Sequence, residues 1–182
     1  MSEDATSFVP IFSDRILACL KEPGGSDADD LRLVDNALVS VNSGKTYKFI
    51  EEIPSLYMSH EGEGEDVTKR VRSFYEENSF PNYEGLEEFG ELVNKGNKNP
   101  FSENLLNAIG FNKTVLECGC GTGQLTHFLQ LNNNHTLGID MSLGSLRLAI
   151  EHKSRNKLKR SSFAQMNVFD LSTKDNSFDV VI

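Results

Sequence analysis

The sequence predicts an α/β fold with a parallel sheet, and three features predict it. Past Phe111, short runs typical of buried strands alternate with apolar residues at helical spacing. A glycine-rich turn, Gly119 to Gly123, joins the first of those strands to the first of those helices. Ahead of them, short β-prone runs between turn residues mark a small β-rich N-terminal unit.

In that unit, Ala37 to Val41 and Thr46 to Ile50 are separated by Asn42, Ser43 and Gly44, a hairpin signature. The stretch HEGEGED, His60 to Asp66, is acidic, lacks apolar periodicity and reads as solvated linker. The chain thus divides into a β-rich unit over 1–58, a linker over 59–67, a helical lead-in over 68–110 and an α/β segment over 111–182. Around the start of the lead-in, Val67, Val71, Phe74 and Tyr75 recur at helical spacing; Leu86, Phe89 and Val93 do so again past a turn at Pro81. A third helix is expected from the N-cap Ser102 to the stop at Gly110. Thr114 to Cys118 reads as a buried strand, Leu125, Phe128 and Leu129 as a helix face, and Thr136 to Ile139 as a second strand. Leu143, Leu146 and Ile150 mark the next helix. Ser162 to Val168 and Phe178 to Ile182 supply the third and fourth strands, with room for a short crossover helix between them. SFDVVI is an apolar strand with nothing after it to cover the sheet. The core therefore reads as truncated after its fourth strand, a fragment expected to be inactive alone.

Composition narrows the function classes. With 182 residues, 38% hydrophobic and 25% charged, the chain is long enough for a sizeable core and lacks the run of about twenty apolar residues that spans a bilayer. No export signal is read, so a soluble, cytoplasmic protein is expected. A formal charge of -9 disfavours nucleic acid as partner, and the one basic cluster, Lys153 to Arg160, is explained by a helix C-terminus. Cys19, Cys118 and Cys120 contain no C-x-x-C pair, so no disulfide framework and no four-thiolate metal site is expected.

The chemistry is concentrated in VLECGCGTGQL, Val115 to Leu125. A buried strand running through Gly119, Gly121 and Gly123 into a helix lets the backbone approach a ligand, because no Cβ stands in the way. Gln124 occupies the place of the last glycine in the dinucleotide pattern, and Glu117 stands two residues before the first glycine. Acidic-x-G-x-G-x-G resembles motif I of the class I, Rossmann-like S-adenosylmethionine-dependent methyltransferases. Asp140 follows the second strand at about the twenty-residue offset at which a carboxylate meets ribose hydroxyls; alone it reads more often as a helix cap or turn former, and the glycine loop beside it reverses that balance. The whole order from Phe111 to Ile182, KDNSFDVVI included, resembles this family. The resemblance implies S-adenosylmethionine as cofactor: Glu117 at the methionine ammonium, the glycine loop in backbone contact, Asp140 at the ribose, Asn167 with Val168 at the adenine, and Met141 as a further cofactor-binding candidate. Asn167 also reads as a turn residue.

Upstream, SFYEENSFPNYEGL resembles the stretch ahead of the Rossmann core in a subset of bacterial methyltransferases. That resemblance makes Tyr75 and Tyr83 candidates for an aromatic lid, against core packing as the alternative. RILACLKEPGG and ALVSVNSGKTYKFIEEIPSLY resemble the small zinc-ribbon activator of RNA and protein methyltransferases. Cys19 falls at a ligand position, but Glu22 stands in place of a second cysteine and Ser40 in place of a third, so no metal is expected. His60, His127, His135 and His152 are scattered and read as structural or solvent-facing.

These readings converge on methyl transfer to a small molecule, lipid precursor or sugar, with the catalytic base unassigned. The alternatives are an RNA or protein methyltransferase, an NAD-dependent oxidoreductase and a non-catalytic binding module on the same fold.

Overall fold

The computed structural model describes residues 9–58 and 82–182. The linker, the helix expected over Val67 to Tyr75, the turn at Pro81, His60 and the candidate Tyr75 lie outside them.

A short helix α1 (Asp14–Leu17) opens the described chain, capped by Ser13, whose Oγ accepts from Ile16 N. Four strands follow as an antiparallel meander: β1 (Leu31–Val34), β2 (Ala37–Ser40), β3 (Thr46–Ile50) and β4 (Ile53–Pro54). The expected hairpin is β2–β3, with Val39 opposite Thr46. Among the described residues, helices α2 (Phe89–Lys98) and α3 (Pro100–Ile109) come next. The N-cap of α3 is Asn99, not the expected Ser102. Its Oδ1 accepts from Phe101 N at 3.0 Å, and Pro100 at the first helical position needs no partner for an amide it lacks. A side-chain cap of this kind contributes about 1 kcal/mol. Gly110 ends the helix as expected, at φ 80°.

The α/β segment runs β5 (Thr114–Cys118), α4 (Gln124–Leu129), β6 (His135–Asp140), α5 (Leu143–Arg155), β7 (Ser161–Gln165) and β8 (Val180–Val181). All four strands are parallel, in the order β7-β6-β5-β8. The third strand stops at Gln165 rather than Val168, because Asn167 turns the chain: its Oδ1 accepts from Phe169 N at 3.1 Å and its carbonyl from Asp170 N at 3.0 Å. The crossover between β7 and β8 contains no helix. It is tied instead to the N-terminal unit, where Leu20 bridges Thr173 and Lys174 N donates to Cys19 O.

Strand periodicity sends alternate residues to opposite faces. Leu116, Leu137, Ile139 and Ala164 face a core shared with Phe12, Ile16, Leu20, Leu31, Leu38 and Leu56, so the N-terminal unit covers the face that a crossover helix would otherwise cover. Val115 faces α2, α3 and α4, through Leu92, Leu106, Ile109, Phe128 and Leu129; Phe163 faces α5 through Leu146 and Ala149.

Of the three positions compared with zinc ligands, Glu22 and Ser40 meet and Cys19 turns away from both. Cys19 Sγ turns to Arg15 O and Ser177 O, while the buried Glu22 carboxylate gathers Ser40 Oγ at 2.6 Å, Ser43 Oγ at 2.7 Å, Lys45 Nζ at 2.9 Å and the Tyr47 hydroxyl at 3.1 Å. Among the described residues no group of three or more His, Cys, Asp or Glu could hold a metal ion. The hydroxyl bonds of Ser40 and Ser43 hold Glu22 down at about 2. A depressed carboxyl stabilises the fold above its ordinary value and stops doing so as pH falls from 4.5 through about 2. Glu22→Gln is therefore expected to lower the melting temperature at neutral pH and to flatten its decline below about pH 4. Elemental analysis is expected to find no stoichiometric zinc, and one zinc per chain would contradict this account.

Candidate active site

The crevice that forms outside the carboxyl ends of parallel strands where strand order reverses falls here between β5 and β8. Glu117 lies near the end of β5 on the helix face. Its carboxylate accepts from Thr126 Oγ of α4, and burial of the carboxyl pushes it up to about 7 despite that bond, with the Asp140 charge adding to the rise. Thr126 comes so close to the sheet because Gly138 lies beneath it: a Cβ there would stand 2.6 Å from Thr126 Oγ and 2.9 Å from Cys120 Sγ.

The glycine loop holds itself in place. Gly119 N and Cys120 N both donate to Ile139 O, at 2.8 and 2.9 Å, and Gly121 N donates to Asp140 Oδ2 at 2.9 Å. Gly119 is exposed at φ 73°, with nothing within 4 Å of where a Cβ would be; Gly123, at φ 77°, is packed tightly against Phe163 and Ala149. The loop thus has one open glycine and one closed one. Because the Gly119 and Gly121 amides are committed, the surface offered to a ligand is the bare Cα of Gly119 and the loop carbonyls.

Asp140 performs the turn-forming role as well. Its Oδ1 accepts from Ser142 N at 2.8 Å, leaving each carboxylate oxygen further acceptor capacity. Met141 is half-buried beside it, and its carbonyl accepts from Gln165 Nε2 at 2.9 Å. Asn167 sits buried just past the end of β7 as a turn former, followed by exposed Val168 and by Phe169, 92% exposed. Tyr83 donates its hydroxyl to Thr122 O at 2.7 Å and stacks on His152, ring centroids 4.2 Å apart; burial keeps its phenol well above the usual range. It braces the loop as a packed side chain. His127 is structural: buried against Ser161 Oγ and Ala149 O and kept neutral by that burial.

Sequence reasoning missed the cavity beside Glu117, about 330 Å³, to which α2 and α3 contribute Lys95, Asn99 and Ser102 and α4 contributes Gln124. Lys95 Nζ donates to Gln124 Oε1 at 3.1 Å, and Gln124 Nε2 donates to Asn82 O at 2.6 Å. A signal was available in Gly96, where a Cβ would come within 2.3 Å of the Phe128 ring. That glycine lets α2 approach α4 and brings Lys95 to the cavity.

Residues 109–182 match the family model described as a methyltransferase domain. This segment is similar to a methyltransferase domain. The release factor glutamine methyltransferase of Fusobacterium nucleatum is 30% identical over 70 residues, 37% of this chain and 20% of that protein; the chain thus spans a fifth of that curated relative. Among solved structures, a putative S-adenosyl-L-methionine-dependent methyltransferase from Methanococcus maripaludis aligns with a TM-score of 0.42 and 19% identity, covering 68% of this chain and 52% of the other. The Haemonchus contortus phosphoethanolamine N-methyltransferase 2, in complex with S-adenosyl-L-methionine, aligns with a TM-score of 0.42 and 21% identity, covering 60% and 27%. The matched segment begins at the end of α3 and includes Glu117, the glycine loop, Asp140 and Asn167; Tyr83 and Lys95 precede it.

Proposed function

We propose that this protein binds S-adenosylmethionine along the carboxyl ends of the parallel strands, from the β5–β8 crevice across to β6, and transfers its methyl group to a small molecule, lipid precursor or sugar. The observation that carries the reading is the open Gly119 between two carboxyl groups, Glu117 and Asp140, inside the segment that matches a methyltransferase domain.

The donor set fits that cofactor. An α-amino acid end needs an anion for its ammonium and a cation for its carboxylate; the cavity offers Glu117 and Lys95. A ribose diol needs a carboxylate acceptor, and Asp140 has capacity beyond its two amide bonds. Met141 and Val168 offer apolar surface for a base at the neighbouring strand ends. When bound, the cofactor supplies a methyl group on a sulfonium, which needs only a nucleophile held in line. Glu117 and Lys95 orient the amino acid end, Asp140 the ribose, and the closed packing of Gly123 fixes the loop between them.

A second reading, methylation of a protein side chain, is favoured by the relative named for release factor glutamine. Turnover on peptide against small-molecule acceptors separates the two and excludes a non-catalytic binding module. Calorimetry tests the cofactor: S-adenosylmethionine and S-adenosylhomocysteine are expected to bind and NAD not to. Asp140→Ala is expected to cost about 1 to 3 kcal/mol of binding, through the lost charged acceptor and the loosened loop. Unchanged affinity in that variant would remove Asp140 from the site, and tight NAD binding would replace the cofactor.

A further inference from the structure

We infer that Gln165 is a positioning residue through which the N-terminal unit sets the ribose end of the cofactor site; the inference rests on the reading above. Gln165 ends β7, the outermost strand of the parallel sheet as described, and is 2% exposed. On its outer side the chain just past β4 continues the sheet: Ser55 bridges Gln165 in parallel, and Leu56 N donates to Gln165 O at 2.9 Å.

The side chain of Gln165 carries this contact inward. Met141 O can only accept, so it takes the amide NH2, at 2.9 Å; the Oε1 is then left for the Ser55 hydroxyl, which donates at 2.7 Å. Both ends of the amide are thereby assigned, and rotating it by a half-turn would break both bonds. Met141 in turn lies between Asp140 and Ser142, whose backbone N binds Asp140 Oδ1, while Asp140 Oδ2 holds Gly121 N. A continuous path runs from Ser55 through Gln165 to the turn that aims Asp140, and from Asp140 to the glycine loop.

Two further contacts hold residues 51–56 in register with that turn. Glu51 pairs with Arg147 of α5, the helix that begins directly after Ser142, and Ile53 packs with Leu146, Ala149 and Phe163. The amide is where this support reaches the site. A buried amide with both ends satisfied is rigid and costly to disturb, which suits a group whose task is to fix a neighbouring carboxylate.

The test uses the full chain with S-adenosylhomocysteine and adenosine as probes, each titrated well below every variant's melting temperature. Gln165→Met keeps the volume and removes both bonds. It is expected to weaken both probes by about tenfold, since both carry the ribose. Ser55→Ala, which removes one end only, is expected to weaken them by about threefold and serves should Gln165→Met not fold. Leu38→Ala is the control: it destabilises the shared core away from the turn and is expected to leave both affinities unchanged. Gln165→Met combined with Asp140→Asn is expected to lose little more than Asp140→Asn alone, because the two act on one contact. Wild-type affinity in Ser55→Ala and Gln165→Met, or an equal loss in Leu38→Ala, would overturn the inference while leaving the cofactor reading intact. A wild-type chain that binds neither probe would overturn both.

Discussion

Replacing Gly123 by alanine is expected to destabilise the protein by about 3 kcal/mol or more, a large share of the stability of a domain this size. A Cβ at this position would stand 2.5 Å from Phe163 Cε1, 2.7 Å from Cζ and 3.0 Å from the Ala149 Cβ, and the backbone sits at φ 77°. Phe163 is fully buried against α5 and cannot swing aside, so overpacking adds to left-handed strain. Gly119→Ala is the instructive contrast. It carries the same kind of φ, 73°, but meets nothing within 4 Å, so only the conformational cost of about 1 to 2 kcal/mol applies. Its methyl group would instead occupy the open space in which the cofactor is proposed to bind. Denaturant unfolding should therefore separate the two variants by stability, and cofactor titration should separate them in the opposite order. A Gly123→Ala midpoint equal to that of wild type would show that α5 does not pack on the loop as described.

Cofactor affinity is expected to fall about tenfold between about pH 8 and pH 6, with Glu117 as the source. The ammonium of an amino acid end needs the carboxylate form. Burial has moved this carboxyl from 4.5 to about 7, so the binding-competent fraction shrinks as pH drops through 7. Glu117→Gln should bind weakly at both pH values and lose the dependence. The stability effect has the opposite sign. Between 4.5 and about 7 the folded state keeps a proton that the unfolded chain has released, so folding stability declines as pH rises through that window, and Glu117→Gln should remove this decline. Titrations of S-adenosylhomocysteine across pH, run in buffers of different ionisation enthalpy, would show proton release on binding. PH-independent affinity in the wild type would take Glu117 out of contact with the ammonium.

What could be read from sequence alone was whatever depends on local pattern. Thr114 to Cys118 has one apolar run and one length, so the first parallel strand was readable to the residue. The loop Gly119 to Gly123, the acidic residues at the ends of two strands and the β2–β3 hairpin follow from the same local rules. Two of the missed features are themselves local, and the others depend on residues far apart in the chain. The cap of α3 moved to Asn99 because a proline after it suits a helix start, and the third strand ended early because Asn167 found its partner in Phe169 N. No pattern within residues 166–179 revealed that the crossover would dispense with a helix, because its cover comes from Leu20 and its neighbours some 150 positions away. The same is true of the site. Composition and spacing identify Glu117 and Asp140 as acidic residues near a glycine loop, but they do not show that one carboxyl is raised by burial and the other is spent partly on Gly121 and Ser142. Nor do they place Lys95 or Gln165. Burial and hydrogen-bond partners are properties of the assembled core, so the sequence by itself determined which chemistry was present, and the tertiary structure decided which groups face one another and in what state of charge.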